Sequence, residues 1–184
     1  MDDYRELLSG STLFMGPSNV GKTKTTAALL DAWTETRGGD GVVVLDFAPV
    51  VEREDGTILG GRLTQFTTPP ADGWTGTLDA HAPRATGDSI AATLELARRN
   101  GENARRLVAA APEPTALFVN DATIPFQHPD ADAGWLLDMI AQADCAVLNA
   151  FESTEIGRTD PVSRAETEAL DVLRRAVDRV RRLG

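Results

Sequence analysis

Eight consecutive residues carry the clearest chemistry in the chain. Gly16-Pro17-Ser18-Asn19-Val20-Gly21-Lys22-Thr23 fits the pattern G-x-x-x-x-G-K-S/T at every defined position. Glycines let a backbone wrap around a polyphosphate so that successive N–H groups point inward. A helix starting near Gly21 aims its positive end at the same charge. Lys22 then reaches the β- and γ-phosphates, and the Thr23 hydroxyl ligates a Mg²⁺ ion that bridges them. The expected ligand is a nucleoside triphosphate, held by residues 16–23. Lys24 either extends the positive field or is a solvated helix residue.

Composition points at the same stretch. The chain has two lysines, Lys22 and Lys24, against 16 arginines. A compact, mobile ammonium differs chemically from a planar guanidinium, so the segment that keeps lysine needs it. A magnesium site also needs carboxylates. Asp121 ends the apolar run Leu117-Phe118-Val119-Asn120, and Asp46 ends Val43-Val44-Leu45. Both are candidates for the metal shell, and one of them for orienting or deprotonating the attacking group. The alternative for each is an aspartate capping the turn after a strand. Ala122 follows Asp121, so the glutamate base of the RecA and AAA types is missing there.

These residues need a frame that brings strand ends together. Apolar runs predict strands at 12–15, 42–47, 115–120 and 145–150. Helical spacing predicts helices at 23–36, at 89–99 with a break at Asn100-Gly101 and a shorter helix to Val108, and at 134–142. The last helix is expected from a capping box, Ser163 to Glu166, with Ala169, Leu170, Leu173, Val177 and Val180 on one face and a short strand possible near 180–183. Residues 48–83 read as an irregular insertion, with a hairpin strand in 57–66 around the turn Glu54-Asp55-Gly56 and a loop from Pro69 to Gly76. Strands alternating with helices predict an α/β fold, a three-layer α/β/α sandwich with a mostly parallel sheet, as one domain over residues 1–184. Ligands of such sheets bind beyond the carboxyl ends of the strands, where Gly16–Thr23, Asp46, Asp121 and Asn149 all fall. If the 115–120 strand lies directly beside the first, the order is that of kinases and GTPases. A strand between them gives the RecA-like order.

Bulk composition excludes several classes. A net charge of −10 repels nucleic-acid phosphates, so no nucleic-acid partner is expected. No apolar run approaches the roughly 20 residues of a membrane span, and the acidic start Met1-Asp2-Asp3 lacks the basic opening of a signal peptide. A cytoplasmic location is expected. The acid excess with few lysines suits a halophilic protein; the alternative is a GC-rich genome, whose codons favour Arg, Ala and Asp. Cys145 sits in an apolar run and reads as a buried thiol. His81 and His128 share no metal-ligand spacing. Gln127 and His128 follow Asp121 closely enough to line the γ-phosphate side. Arg62 and Arg84 are arginines in expected loops, each either reaching the phosphates on closure as an arginine finger does or a solvated surface residue. Trp33, Trp74 and Trp135 read as core or interface anchors.

Three short segments beside the phosphate loop carry a resemblance. Gly41 to Pro49 looks like the second strand of the ParA/MinD-like group in the SIMIBI class of P-loop NTPases, where an apolar strand ends in an aspartate near the γ-phosphate. Val119 to Pro125 resembles that group's Walker B segment. Val147-Leu148-Asn149 resembles its strand whose terminal asparagine contacts the base, which implies that role for Asn149. The group's additional loop lysine is absent, with Pro17 and Ser18 in that region. The guanine-reading Asn-Lys-x-Asp pattern is also absent, which favours ATP over GTP. The resemblance implies a Mg²⁺-dependent NTPase working as a switch on a protein partner, with residues 48–83 moving and the oligomeric state open. The alternative of another class is a small-molecule kinase or ATP-dependent ligase, with the same segment forming the acceptor pocket.

Overall fold

Every central strand is apolar on both sides, and the two sides bury into different layers. The computed structural model describes residues 5–52, 58–59, 61–152 and 159–184. Strand β1 (Gly10–Gly16) leads through the glycine-rich loop into helix α1 (Lys22–Arg37), then β2 (Val42–Asp46). A small antiparallel hairpin, β3 (Val51–Glu52) and β4 (Ile58–Leu59), follows; its turn lies outside the described residues. Next come β5 (Trp74–Thr77), the short α2 (Pro83–Thr86) and the long α3 (Ile90–Val108). The chain continues with β6 (Ala116–Asn120), α4 (Gly134–Gln142), β7 (Cys145–Phe151), α5 (Pro161–Ala176) and β8 (Arg179–Arg182).

Six strands form one parallel sheet in the order β5-β2-β6-β7-β1-β8. Phe14, Val42, Val44, Ala116, Phe118 and Val147 face α1, packing on Ala27, Leu30 and Trp33. Leu13, Met15, Val43, Leu45, Leu117, Val119 and Leu148 face the layer of α3, α4 and α5. Helices therefore cover both faces, which is why these strands are apolar throughout instead of alternating. The architecture is the expected α/β sandwich, and all six strands are parallel. Strand β7 lies between β1 and β6, so the strand order is the inserted, RecA-like one. Among the described residues, no helix is long and apolar enough to cross a membrane.

Three local expectations are corrected. Asn100-Gly101 does not break a helix, because α3 runs through it. The Asn100 side chain is fully buried and grips residue 81 on both sides: its Nδ2 donates to His81 O (2.9 Å) and its Oδ1 accepts from His81 N (2.8 Å). A Cβ at Gly101 would stand 2.8 Å from Pro125 O, so the glycine permits close packing. The α5 cap is Asp160, whose Oδ1 accepts from Ser163 N at 2.9 Å, with Pro161 in the first turn. Ser163 and Glu166 are thus inside the helix, which ends at Ala176; Val180 belongs to β8. Finally, Trp74–Thr77, read as loop, is an edge strand paired with β2. Only one of its residues is buried, which leaves little hydrophobic signal. Cys145 and Trp33 are buried as expected, and Trp135 packs against Phe47 and Phe126.

Candidate functional site

One row of polar residues crosses the carboxyl end of the sheet. Asp46 is in register with Asn120, and Val119 with Leu148, which sets Asn120 beside Asn149. All three continue the side of their strands that faces α1, and all three are at most 2% exposed. Their hydrogen bonds run through Asn120. Its Nδ2 donates to Asp46 Oδ1 (2.9 Å) and to Gly61 O (2.8 Å). Its Oδ1 accepts from the Thr23 hydroxyl (3.1 Å) and from Asn149 Nδ2 (2.9 Å). Asn149 Nδ2 also donates to Thr26 Oγ1 at 2.9 Å, and its Oδ1 accepts from Asp121 N at 3.1 Å.

This row revises two sequence expectations. Asp46 is not a wall of the cleft; its carboxylate accepts from Leu63 N (2.8 Å), Ala48 N (3.3 Å) and Asn120. It anchors the turn after β4 and orients Asn120. Asn149 is buried with its amide fully engaged, so it is not placed to read a base. The residue that meets the Thr23 hydroxyl is Asn120, and this moves Asp121 one position further along. Asp121 takes a left-handed backbone conformation, φ 54°, which aspartate tolerates better than most residues. The turn carries it out of the strand row and onto the cleft wall. It thus stands immediately after the strand-end residue Asn120, where a RecA-type strand carries its glutamate.

The glycine-rich loop turns through left-handed backbone at two positions. Asn19 and Gly21 have φ of 65° and 91°, and Gly21 sits just before α1. Gly16 has φ 153°, and a Cβ there would stand 2.2 Å from Leu183 O. Lys22 is buried, with Nζ donating to Gly16 O (2.9 Å) and Pro17 O (2.5 Å). Burial lowers its pKa, against the opposing pull of Asp121. Burial, reinforced by Glu166 and Asp46 and opposed by Lys22, pushes the Asp121 carboxyl up to about 7.

A cleft of about 500 Å³ opens beside the loop. One wall carries Ser18, Asn19, Gly21, Lys22, Thr23 and the exposed Lys24. Val20 turns away and packs near Gly16. The facing wall comes from distant segments: Arg84, Asp121, Thr123, Gln127, Phe151 and Glu166. Glu166, only 5% exposed, accepts from Arg84 Nη1 at 2.5 Å and from the Thr123 hydroxyl at 3.1 Å. Phe66, 48% exposed, stands at the cleft with Pro49 and Gly61.

The facing wall sorts the remaining expectations. Gln127 lines the cleft, whereas His128 turns to Asp130, whose N donates to His128 Nδ1 at 3.2 Å. Arg84 lines the cleft, whereas Arg62 donates to Leu78 O at 3.2 Å. Asn120, Thr26, Thr123 and Glu166 are not among the site residues expected from sequence. Asn120 alone left a signal, a polar residue closing an apolar strand at the level of Asp46.

The donor set suits a hard cation: the Thr23 hydroxyl, the Asn120 amide oxygen and the Asp121 carboxylate are all oxygen ligands. Thr23 and Asn120 are already 3.1 Å apart. The chain matches no family model and no curated protein sequence.

Proposed function

We propose that the protein binds a Mg²⁺-nucleoside triphosphate, ATP in preference to GTP, and hydrolyses it as a nucleotide-driven switch. The observation that carries this reading is the glycine-rich loop in its strand–loop–helix setting, with Lys22 and Asp121 both lining the cleft. Loop N–H groups and Lys22 would cradle the β- and γ-phosphates. Thr23 and Asn120 would hold Mg²⁺, directly or through water; when bound, the ion would neutralise charge on the phosphate oxygens. Asp121, set just beyond Asn120, is the group positioned to take a proton from the attacking water. The strand order favours a RecA-like relationship over the ParA/MinD likeness, and the engaged amide of the buried Asn149 weighs against the base contact that likeness implied.

The switch is supported by the link from Thr23 to the segment at 61–66. Any rearrangement of the Thr23 hydroxyl on metal binding acts on Asn120, which holds Gly61 O, and Asn120 shares Asp46 with Leu63 N. That segment ends in the exposed Phe66, an apolar group available to a protein partner. The direct test is Lys22→Ala. Affinity for Mg-ATP, measured by calorimetry, should fall at least ~100-fold, with loss of a charge-assisted phosphate contact. Unchanged affinity in a folded variant sinks the reading. Phosphate release only when a metabolite is supplied, with a phosphorylated product, would replace hydrolysis by phosphotransfer.

A further inference from the structure

The two edges of the sheet differ in charge. Strand β5 closes one edge with Trp74-Thr75-Gly76-Thr77, which carries none. Strand β8 closes the other with Arg179-Val180-Arg181-Arg182. Counting Arg174 and Arg175, five arginines fall in residues 174–184 beside a single acid, Asp178, although the whole chain carries −10. Arg179 is tied to Ser9 O and to Thr12 Oγ1 (3.1 Å), and Arg182 to Glu152 (3.1 Å). Arg175 and Arg181 are exposed, and among the described residues neither has a carboxylate at ion-pair distance. The backbone of β8 can be sorted by parity. Alternate residues of a strand turn both backbone groups to the same side. Leu183 N donates to Met15 O at 2.9 Å, so Arg179, Arg181 and Leu183 bond toward β1. Val180 and Arg182 turn their N–H and C=O groups outward, where no strand pairs with them among the described residues.

We propose that the outer edge of β8 takes up an extended acidic segment of a partner protein as an added strand. Unpaired N–H and C=O groups at a sheet edge are a template for strand addition. Val180 and Arg182 would bond to the incoming backbone, and side-chain charge chooses whose backbone it is. A second β8 laid against the first would set arginines opposite arginines, which is destabilising. The residues that invite an acidic strand therefore refuse a second copy at this edge. Aspartate or glutamate opposite Arg181 turns the cross-strand pair favourable. The remainder of the chain is strongly acidic, so an acidic segment is repelled elsewhere and steered to this edge. Nucleic acid meets the same repulsion over a larger footprint and has no strand backbone to pair. No residue of β8 lines the cleft, so this surface stands apart from the nucleotide reading.

The probe is a fluorescein-labelled peptide of alternating Glu and Val, titrated with the full chain at low salt and followed by fluorescence anisotropy. The parent should bind it and should not bind the Lys-Val counterpart, and added salt should weaken the complex. Reversing the two unpaired charges, Arg175→Glu with Arg181→Glu, should weaken binding at least ~10-fold. The melting temperature of that variant should stay within about 2 °C of the parent, because both positions are exposed. Methylating alternate peptide nitrogens, in the register that faces β8, keeps every charge and removes the backbone donors, and should abolish binding. Amide hydrogen exchange at Val180 and Arg182 should slow in the complex, while Arg181, already bonded to β1, changes little. A parent that ignores the acidic peptide overturns the proposal. Equal binding of the methylated peptide in either register overturns it too, since the edge would then be a patch of charge and not a strand acceptor. Tighter binding of a single-stranded oligonucleotide or of phosphatidylserine vesicles would give the arginines to another class of partner. Self-association of the parent that the double variant alters would give the edge to a second copy. Either result sinks the proposal.

Discussion

The two walls of the cleft are built on opposite plans. The loop wall comes from one short stretch, residues 18–24, with one buried ammonium at Lys22 and one exposed at Lys24. The facing wall draws Arg84, Asp121, Thr123, Gln127, Phe151 and Glu166 from segments far apart in the chain, and all its chemistry is in side chains. A wall made of backbone suits binding that depends little on what lies downstream of the phosphates. A wall made of side chains suits discrimination between ground state and transition state, where one atom's position matters. The contrast amounts to a division of labour: substitutions in the first wall should act on affinity, and those in the second on turnover.

The strongest challenge to that division is Asp121→Asn. Turnover should fall by about 10²–10⁴, the span typical of losing a general base, with Mg-ATP affinity changed far less than in Lys22→Ala. Parallel loss of affinity and rate would erase the distinction between the walls. Arg84→Ala comes next. It strands the buried Glu166 carboxylate, and breaking such a pair costs about 3 kcal/mol. Urea denaturation should detect this, and Arg84→Ala with Glu166→Gln should recover most of it. Asp46→Asn tests a residue that belongs to neither wall. Its weakened contacts to Leu63 N and Asn120 should cost about 1–2 kcal/mol of stability, while the folded fraction turns over within a fewfold of the parent.

The remaining effect concerns pH. In the nucleotide-free fold the Asp121 carboxyl titrates near 7, raised from 3.8. Between those values the native state keeps a proton that the unfolded chain has lost. Its contribution to stability therefore declines as pH rises from about 4 to about 7 and is level above. The difference in melting temperature between Asp121→Asn and the parent should grow over that window. This comparison isolates the group from Asp160 and Asp178, whose lowered pKa values act the other way, with stability lost as pH falls below the ordinary carboxylate range.

Legibility in the sequence follows the same division. The loop wall could be read because its chemistry depends on consecutive residues, and the central strands because burial on both faces leaves continuous apolar runs. Asp46 and Asp121 look alike as aspartates ending strands. Which one faces the cleft is decided by a left-handed turn at Asp121 and by the sheet register that puts Asn120 at the level of Asp46, neither of which a linear reading contains. Glu166 was read as half of a capping box because the spacing from Ser163 allows it; Asp160 with Pro161 forms the cap, and the glutamate is free to meet Arg84. The edge strand at 74–77 was invisible because a strand buried on one side, with a glycine inside it, carries almost no hydrophobic period.

The pair Asn100-Gly101 has a consequence beyond holding α3 together. Asn100 fixes the backbone of His81, three residues before Arg84, and Gly101 seats the carbonyl of Pro125, two residues before Gln127. Two neighbouring positions in one helix thus act as a common fulcrum for the two arms of the side-chain wall. Rotating or sliding α3 would swing both arms together, so a single mechanical input at that helix sets their separation. Drift at either position would propagate to a site it does not touch.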